Sequence, residues 1–304
     1  MDPYSAEGEL VNLHNYFHQA QYAQVIDFDT SALSSSNLLP ARVLQLRAKI
    51  ALSQVDEALS EISSDANKST PDLKAVQILA QYSKAQHAGK PLDGNASAAE
   101  ELAKSDGDNV NVQVLCGTVL AGAGMAEEAL QVLGKHQGSL DAIALIVQIH
   151  LQQNRLDLAN KEAQQARKWA QDNLLVNIAE SWVGMRQGGE KYQAAYYVFE
   201  ELAQAPATQS VQSLIGQAVA ELHLGRLPEA EAALQQARDL DAENPDLLVN
   251  SVVLDTILGK VDEAKAAKEK LAKVHPEYQA LADWAKKKEE FEKACERYTP
   301  KFDP

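Results

Sequence analysis

The sequence is poor in cysteine, in aromatic residues and in positive charge, and each shortage excludes a class of protein. Its two cysteines, Cys116 and Cys295, lie far apart, so they suggest neither a disulfide framework nor a closely spaced metal site. Aromatic residues make up 6% of the chain. Lys and Arg number 28 against 43 Asp and Glu, a net charge of −15, and such a field repels phosphate backbones and anionic lipid. Direct binding to nucleic acid or to a bilayer surface is therefore not expected.

Long apolar runs and a secretion signal are also missing. No run approaches the ~20 apolar residues that a membrane-spanning helix needs. The acidic opening Met1–Glu9 lacks the basic and apolar regions of a signal peptide. The sequence therefore predicts a soluble cytoplasmic protein whose two thiols stay reduced.

The alternating β-branched residues of strands are absent, and a helical repeat takes their place. Ala, Leu, Gln, Glu and Lys are abundant, which predicts an all-α protein. The segment Gly225-Arg-Leu-Pro-Glu-Ala230 is answered 34 residues later by Gly259-Lys-Val-Asp-Glu-Ala264. This period, with glycine at the turn and a small residue five positions on, is typical of the tetratricopeptide helix-turn-helix repeat. The glycine ends the first helix in the left-handed conformation, and a bulky residue in place of the alanine would overpack the two helices by about 1–3 kcal/mol.

The small residue of the second helix marks each repeat along the chain. It is found at Val25, Ala58, Ala99, Ala129, Ala159, Ala195, Ala230 and Ala264. The sequence thus predicts one tetratricopeptide-type α-α superhelical solenoid over residues 1–304. About eight helix pairs fill residues 7–276, a capping helix occupies 277–298, and a tail occupies 299–304.

The predicted last helix carries an apolar stripe. Its members are Leu281, Trp284, Phe291, Cys295 and Tyr298. An open-ended stack exposes an apolar face, which terminal elements with one apolar and one charged side usually cover. We therefore expect this helix to cap the last repeat.

Motifs that carry chemistry are missing as well. There is no zinc-protease helix, nucleophile elbow, dinucleotide fingerprint or cysteine pair at metal spacing, so we expect no enzymatic activity, no cofactor and no metal. The nearest approach to a site is the pair His14 and His18, four residues apart on one helix face. Two imidazoles without an evident third ligand favour an ordinary half-exposed helix face over a metal site.

A solenoid without catalytic residues is typically a protein-binding scaffold, with its first helices on the concave side. Counting from the last two repeats gives the inward-facing positions of the fifth, seventh and eighth pairs. They are Ala144, Gln148 and Leu151, then Gln212, Ile215, Val219 and Leu222, then Asp246, Val249, Val253 and Thr256. This groove is largely apolar, which suits a permanent partner segment because open apolar area promotes aggregation. Alternatively, the superhelix buries part of this surface itself.

A second function class for this fold is a general adaptor, or a co-chaperone-like module, that binds a peptide segment of another protein. Co-chaperones of this fold grip acidic peptide tails with Lys, Arg and Asn side chains on their first helices. The groove positions carry almost none of these residues. The pattern therefore favours an apolar partner segment.

Several segments together resemble one known family. They are Val147-Gln-Ile149 with Arg155-Leu-Asp-Leu-Ala159, Gly188-Gly-Glu-Lys191 with Ala195-Tyr-Tyr197 and Phe199, Gly216-Gln-Ala218, and Val252-Val-Leu254 with Leu258-Gly-Lys260. In this combination the chain resembles the epsilon subunits of coatomer, the COPI vesicle coat, most densely over residues 142–260.

The resemblance implies more than the repeat pattern does. It implies a non-catalytic solenoid, curved into a near-closed ring, that forms a one-to-one heterodimer with the C-terminal domain of the alpha coatomer subunit and embraces a projecting hairpin of it. It also implies a role in retrograde Golgi-to-ER and intra-Golgi transport. Membrane association would be peripheral, on Golgi membranes and COPI-coated vesicles, through the assembled coat. The apolar groove would be the seat of the hairpin.

Overall fold

Helices provide the regular structure of the chain. The computed structural model describes residues 8–205 and 208–298, and these two ranges contain no strand. A short 3-10 turn at Gly8–Leu10 precedes the first α-helix. The α-helices of these ranges are α1 (Val11–His18), α2 (Tyr22–Ile26), α3 (Leu38–Ala51), α4 (Val55–Ser64), α5 (Pro71–His87), α6 (Asp93–Ser105), α7 (Val110–Gly122), α8 (Ala126–Leu133), α9 (Leu140–Gln152), α10 (Leu156–Arg167), α11 (Leu174–Gln187), α12 (Lys191–Gln204), α13 (Val211–His223), α14 (Leu227–Leu240), α15 (Pro245–Ile257), α16 (Val261–Val274) and α17 (Gln279–Arg297).

The helices of the described ranges pack as eight consecutive pairs, from α1/α2 to α15/α16, with α17 following the last pair. Each pair also packs on the next, as α12 does on α13 and α10 on α11. The predicted tetratricopeptide-type solenoid is therefore confirmed. The first pair is the shortest, because α2 ends at Ile26.

The first and second helices of a pair begin differently. From the third pair onward, each first helix begins at a residue whose side chain accepts a backbone N–H hydrogen bond. These residues are Thr70, Asn109, Ser139, Asn173, Ser210 and Asn244. Each such cap stabilises a helix start by about 1 kcal/mol. The second helices have no side-chain cap, because the chain enters them directly from a tight turn.

Every turn within a pair contains a residue with positive φ. These residues are Ala20, Ser53, Gly89, Gly124, Asn154, Gly188, Gly225 and Gly259. Gly225 has φ 75° and Gly259 has φ 74°, as the repeat motif predicts. Ala20 and Ser53 adopt φ 57° and 62° without being glycine. This conformation costs an L-residue about 1–2 kcal/mol. The first two turns thus have the same backbone conformation as the later ones but lack the glycine by which a sequence indicates it.

The small residue of each second helix is buried where the two helices of its pair meet. Val25, Ala58, Ala99, Ala129, Ala159 and Ala230 are 0% exposed, Ala195 is 1% exposed and Ala264 is 9% exposed. This burial is what the predicted repeat register requires at the eight small positions. The core follows the stack: its largest cluster runs from Val43 to Ile149, and a second runs from Ala203 to Leu254.

The superhelix is curved so strongly that its first two helix pairs contact the fifth and sixth pairs. Helix α1 contacts α11. His18 Nε2 and Arg47 Nη2 lie 3.4 and 3.3 Å from Asp141 Oδ1, at the start of α9. The Arg47 guanidinium also stands 4.4 Å above the centre of the Phe17 ring. The first pair thus forms a wall opposite the later pairs, and the concave face becomes a cavity.

Helix α17 forms where the sequence predicts it, but only its first turns pack on the last pair. None of its residues is buried. Trp284 is half-buried, with Lys268 Nζ 5.2 Å from its ring centre, whereas Phe291 is 70% exposed and Cys295 is also exposed. The apolar stripe of α17 therefore covers less of the last helix pair than a capping helix is expected to cover. Helix α16 itself buries only Ala264 and Leu271.

Candidate partner-binding cavity

A cavity of about 680 Å³ lies on the concave side of the solenoid. Its walls come from the first helices of five pairs, α1, α9, α11, α13 and α15, with additional side chains from α2, α12 and the turns next to these helices. The lining residues are His18, Gln19, Ala20, Tyr22, Gln148, Leu151, Gln152, Ile178, Trp182, Met185, Arg186, Phe199, Leu202, Thr208, Ser210, Gln212, Ser213, Ile215, Gly216, Val219, Asp246 and Asn250.

In the cavity wall formed by the later pairs, the lining residues recur with the 34-residue period of the repeat. Equivalent positions of successive first helices form three columns of lining residues. The columns are Gln148, Trp182, Gly216 and Asn250; Leu151, Met185 and Val219; and Ile178, Gln212 and Asp246. Within each column every step is 34 residues, so one face of each first helix points into the cavity.

Six of the eleven predicted groove residues line this cavity: Gln148, Leu151, Gln212, Ile215, Val219 and Asp246. Ala144 is instead buried in the fold at 8% exposure, and Leu222 packs against the core of the seventh and eighth pairs. Val249, Val253 and Thr256 lie outside the cavity. In α15 only Asp246 and Asn250, near its start, reach the cavity.

Other lining residues were not predicted. Ile178, Trp182 and Met185 belong to the sixth pair, whereas the predicted groove residues come from the fifth, seventh and eighth pairs. One 34-residue step from Gln148 and Leu151 gives Trp182 and Met185, so the sequence contained the signal. His18 and Tyr22 reach the cavity only through the long-range closure of the superhelix, which no local pattern indicates.

Phe199 reaches the cavity because Gly216 lies directly opposite its ring. A Cβ atom at Gly216 would stand 2.5 Å from Cδ1 and 2.8 Å from Cε1 of Phe199, much closer than carbon atoms approach. The ring is 8% exposed and packs with Ala195 and Ala220. Only glycine at position 216 therefore lets α12 and α13 approach this closely.

Charged groups are sparse in the cavity. Among the described lining residues, Arg186 is the only Lys or Arg and Asp246 is the only carboxylate. Arg186 Nη2 donates a 2.6 Å hydrogen bond to Asn154 Oδ1. Asp246 accepts a hydrogen bond from Tyr278, whose pKa is raised by burial and by this bond. The remaining surface consists of apolar side chains, with amides, hydroxyls and the His18 imidazole that offer hydrogen bonds.

The contact that closes the superhelix combines charged and titratable groups. Burial alone would raise the pKa of Asp141, but the hydrogen bond with His18 and the charges of Arg47 and the two histidines hold it well below its usual value. Burial lowers the pKa of His14. One ligand atom from each of His14, His18 and Asp141 lies within 4.8 Å of the other two. The structure thus adds a carboxylate to the two imidazoles, for which the sequence showed no third ligand.

None of the helices in the described ranges combines the length and the hydropathy that crossing a bilayer requires.

Comparison with known proteins identifies the family. The sequence model of the coatomer epsilon subunit family matches residues 6–299. Coatomer subunit epsilon-1 of Arabidopsis thaliana is 32% identical over 296 residues, covering 95% of this chain and 97% of that protein. A probable coatomer subunit epsilon of Schizosaccharomyces pombe is 30% identical over 256 residues, covering 84% and 83%.

A solved structure supports the fold. A tetratricopeptide repeat protein from Parabacteroides merdae superposes with a TM-score of 0.58 at 10% identity, covering 89% of this chain and 97% of that one. At this identity the similarity concerns the fold alone. Together, the family match and the two relatives show that the chain belongs to the coatomer epsilon subunit family, and so to the subunits of the COPI coat.

Proposed function

We propose that this chain is a non-catalytic coat subunit that binds and stabilises the C-terminal domain of the alpha coatomer subunit, in a one-to-one heterodimer within coatomer. Members of its family are structural coat components. The observation that carries the proposal is the largely apolar cavity, walled by five of the eight pairs. Apolar concave surfaces suit lasting contacts, because exposing them without a partner favours aggregation.

The cavity indicates how a partner segment would be held. Its volume of about 680 Å³ takes a few side chains, so a projecting hairpin would insert its tip. Apolar side chains of the hairpin would pack against Trp182, Met185 and Val219. Gln148 and Gln212, both exposed, would supply hydrogen bonds to its backbone.

The charge pattern disfavours the adaptor alternative. A clamp for an acidic peptide tail typically uses several cations, because hydrogen bonds between cations and carboxylates are the strong ones. Arg186 is the single Lys or Arg among the described residues that line the cavity. The cavity therefore suits an apolar segment better than an acidic one.

The proposed partner also accounts for location and transport. Bound to the alpha subunit, the chain would move from the cytoplasm to Golgi membranes and COPI-coated vesicles as part of the coat, and would support retrograde Golgi-to-ER and intra-Golgi transport. Its own contact with membranes would be peripheral, in keeping with a net charge of −15 that an anionic bilayer repels.

Co-expression with the C-terminal domain of the alpha subunit, followed by size-exclusion chromatography with light scattering, tests the proposal. We expect a one-to-one complex that survives dilution. Val219→Asp should weaken it by about 2–4 kcal/mol, because the new carboxylate must lose its water when the partner packs against it. Val253→Asp is the matched control, since Val253 lies on the neighbouring first helix but outside the cavity and is 41% exposed.

Two outcomes would contradict the proposal in different ways. Separate elution of the two wild-type proteins would show that this domain of the alpha subunit is not the partner. Equal affinities of the two variants would show that the partner binds somewhere other than the cavity. Circular dichroism of each variant checks that its helices are intact.

A further inference from the structure

The contact that closes the superhelix brings together three metal-ligating side chains from distant parts of the chain. His14 and His18 are four residues apart on α1 and share one face of that helix. Asp141, in the first turn of α9, lies beside them although it is 123 residues from His18. The side chains of His18 and Asp141 are 13% and 21% exposed. Two imidazoles and a carboxylate are a donor set that zinc uses.

The distances fit a metal ion. Zinc binds nitrogen and oxygen at about 2.0–2.2 Å in tetrahedral geometry, which places neighbouring ligand atoms about 3.4 Å apart. His18 Nε2 and Asp141 Oδ1 are already 3.4 Å apart. The ligand atom of His14 lies within 4.8 Å of both, and the two imidazole centres are 5.9 Å apart. A small rotation of the His14 side chain therefore completes three of the four ligand positions.

We propose that His14, His18 and Asp141 form a zinc site that fastens the first helix pair to the fifth. A fourth ligand, a water molecule, would enter from the cavity, which His18 lines. Histidines at this four-residue spacing on one helix also hold zinc in zinc-protease helices. Zinc bound here would hold the cavity wall formed by α1 in place.

Arg47 competes with the metal and makes the proposal testable. Its Nη2 atom lies 3.3 Å from the same Asp141 oxygen, and its side chain is 14% exposed. A positive charge so close repels a divalent cation. Arg47 has a second contact in the Phe17 ring, 4.4 Å from the guanidinium carbon, so it can leave the carboxylate without losing every partner. Removing its charge should strengthen zinc binding.

Calorimetric titration of the untagged, chelator-treated full-length chain with Zn²⁺ tests the site, and the visible absorption of Co²⁺ reports the coordination geometry. We expect one Zn²⁺ per chain and the intense bands of tetrahedral cobalt. His14→Ala and Asp141→Asn should weaken binding about tenfold or more, and Arg47→Met should tighten it. His87→Ala is the control, because His87 is an exposed histidine at the end of α5 and its loss should change nothing.

Three results would overturn the proposal: no zinc binding by either the wild type or Arg47→Met, binding that His87→Ala weakens as much as His14→Ala does, or binding that His14→Ala leaves unchanged. In these cases Asp141 only pairs with His18 and Arg47. Asp141→Asn also loses that pairing and can destabilise the chain, so its melting temperature is measured alongside. If it does not fold, His14→Ala and Arg47→Met decide the question.

Discussion

Replacing Gly216 with alanine should destabilise the packing of α12 on α13, although alanine is the better helix former. The new methyl group would stand 2.5 Å from Cδ1 and 2.9 Å from Cγ of Phe199. The ring is 8% exposed and held by its neighbours, so it has little room to move. Overpacking of this kind costs about 1–3 kcal/mol. The gain in helix propensity returns about 1 kcal/mol, which leaves a net loss of about 0–2 kcal/mol.

Gly184 provides the matched control. It lies inside α11, the first helix of the preceding pair, and is also buried. A Cβ atom there would meet Lys191 at 3.4 Å or more, which is an ordinary contact. Gly184→Ala should therefore stabilise the chain by about 1 kcal/mol, because only the propensity changes. The same substitution should thus have opposite effects in two neighbouring first helices.

Thermal unfolding followed by circular dichroism measures the difference. The two variants should differ by about 1–3 kcal/mol, which corresponds to roughly 2–12 °C in melting temperature at about 2–4 °C per kcal/mol. Gly216→Ala should also weaken partner binding, because Phe199 and Gly216 both line the cavity. A melting temperature for Gly216→Ala at or above that of Gly184→Ala would show that the Phe199 ring does not lie against α13.

The turns and the thiols give two further predictions. Gly225→Ala should destabilise the chain by about 1–2 kcal/mol, because φ is 75° there. Ser53→Gly, at φ 62°, should instead be neutral or stabilising by up to about 1 kcal/mol. Shifts of the opposite sign in thermal unfolding would refute the turn assignment. Burial raises the pKa of the Cys116 thiol to about 12 while Cys295 is exposed, so a thiol reagent near neutral pH should label Cys295 alone in the native chain and both cysteines in denaturant. Rapid labelling of two thiols in the native chain would contradict the burial of Cys116.

The repeat pattern predicts those parts of the structure that depend on neighbouring residues. The small positions from Val25 to Ala264 were identified in every pair, because close helix packing at those positions tolerates only a small side chain. The turns at Ala20 and Ser53 gave a weaker signal, since there the left-handed conformation is imposed on a residue that does not favour it. The repeat pattern therefore defines the pair boundaries less sharply in the first third of the chain.

The cavity could be predicted only in part. The wall formed by the first helices follows the 34-residue period, so the sequence predicts Gln148, Leu151 and Val219 as lining residues. The opposite wall depends on the contact of His18 and Arg47 with Asp141. That contact arises from the accumulated curvature of four helix pairs, and no residue in either segment indicates its partner. The same period predicts Val253 inside the cavity, but among the residues of α15 the cavity reaches only Asp246 and Asn250.

The exposed stripe of α17 can be tested with one substitution. Phe291 is 70% exposed, so Phe291→Ala should change the stability by less than about 0.5 kcal/mol. If α17 covered the last pair along its full length, the same change would cost about 3–5 kcal/mol, as for a buried phenylalanine. Trp284→Ala serves as the comparison and should cost on the order of 1 kcal/mol, because it removes the half-buried ring beneath Lys268. Since the ends of a solenoid unfold locally, hydrogen exchange of the α16 amides is the most direct readout. Faster exchange in Phe291→Ala, to the degree seen in Trp284→Ala, would mean that the whole stripe packs on α16 in solution.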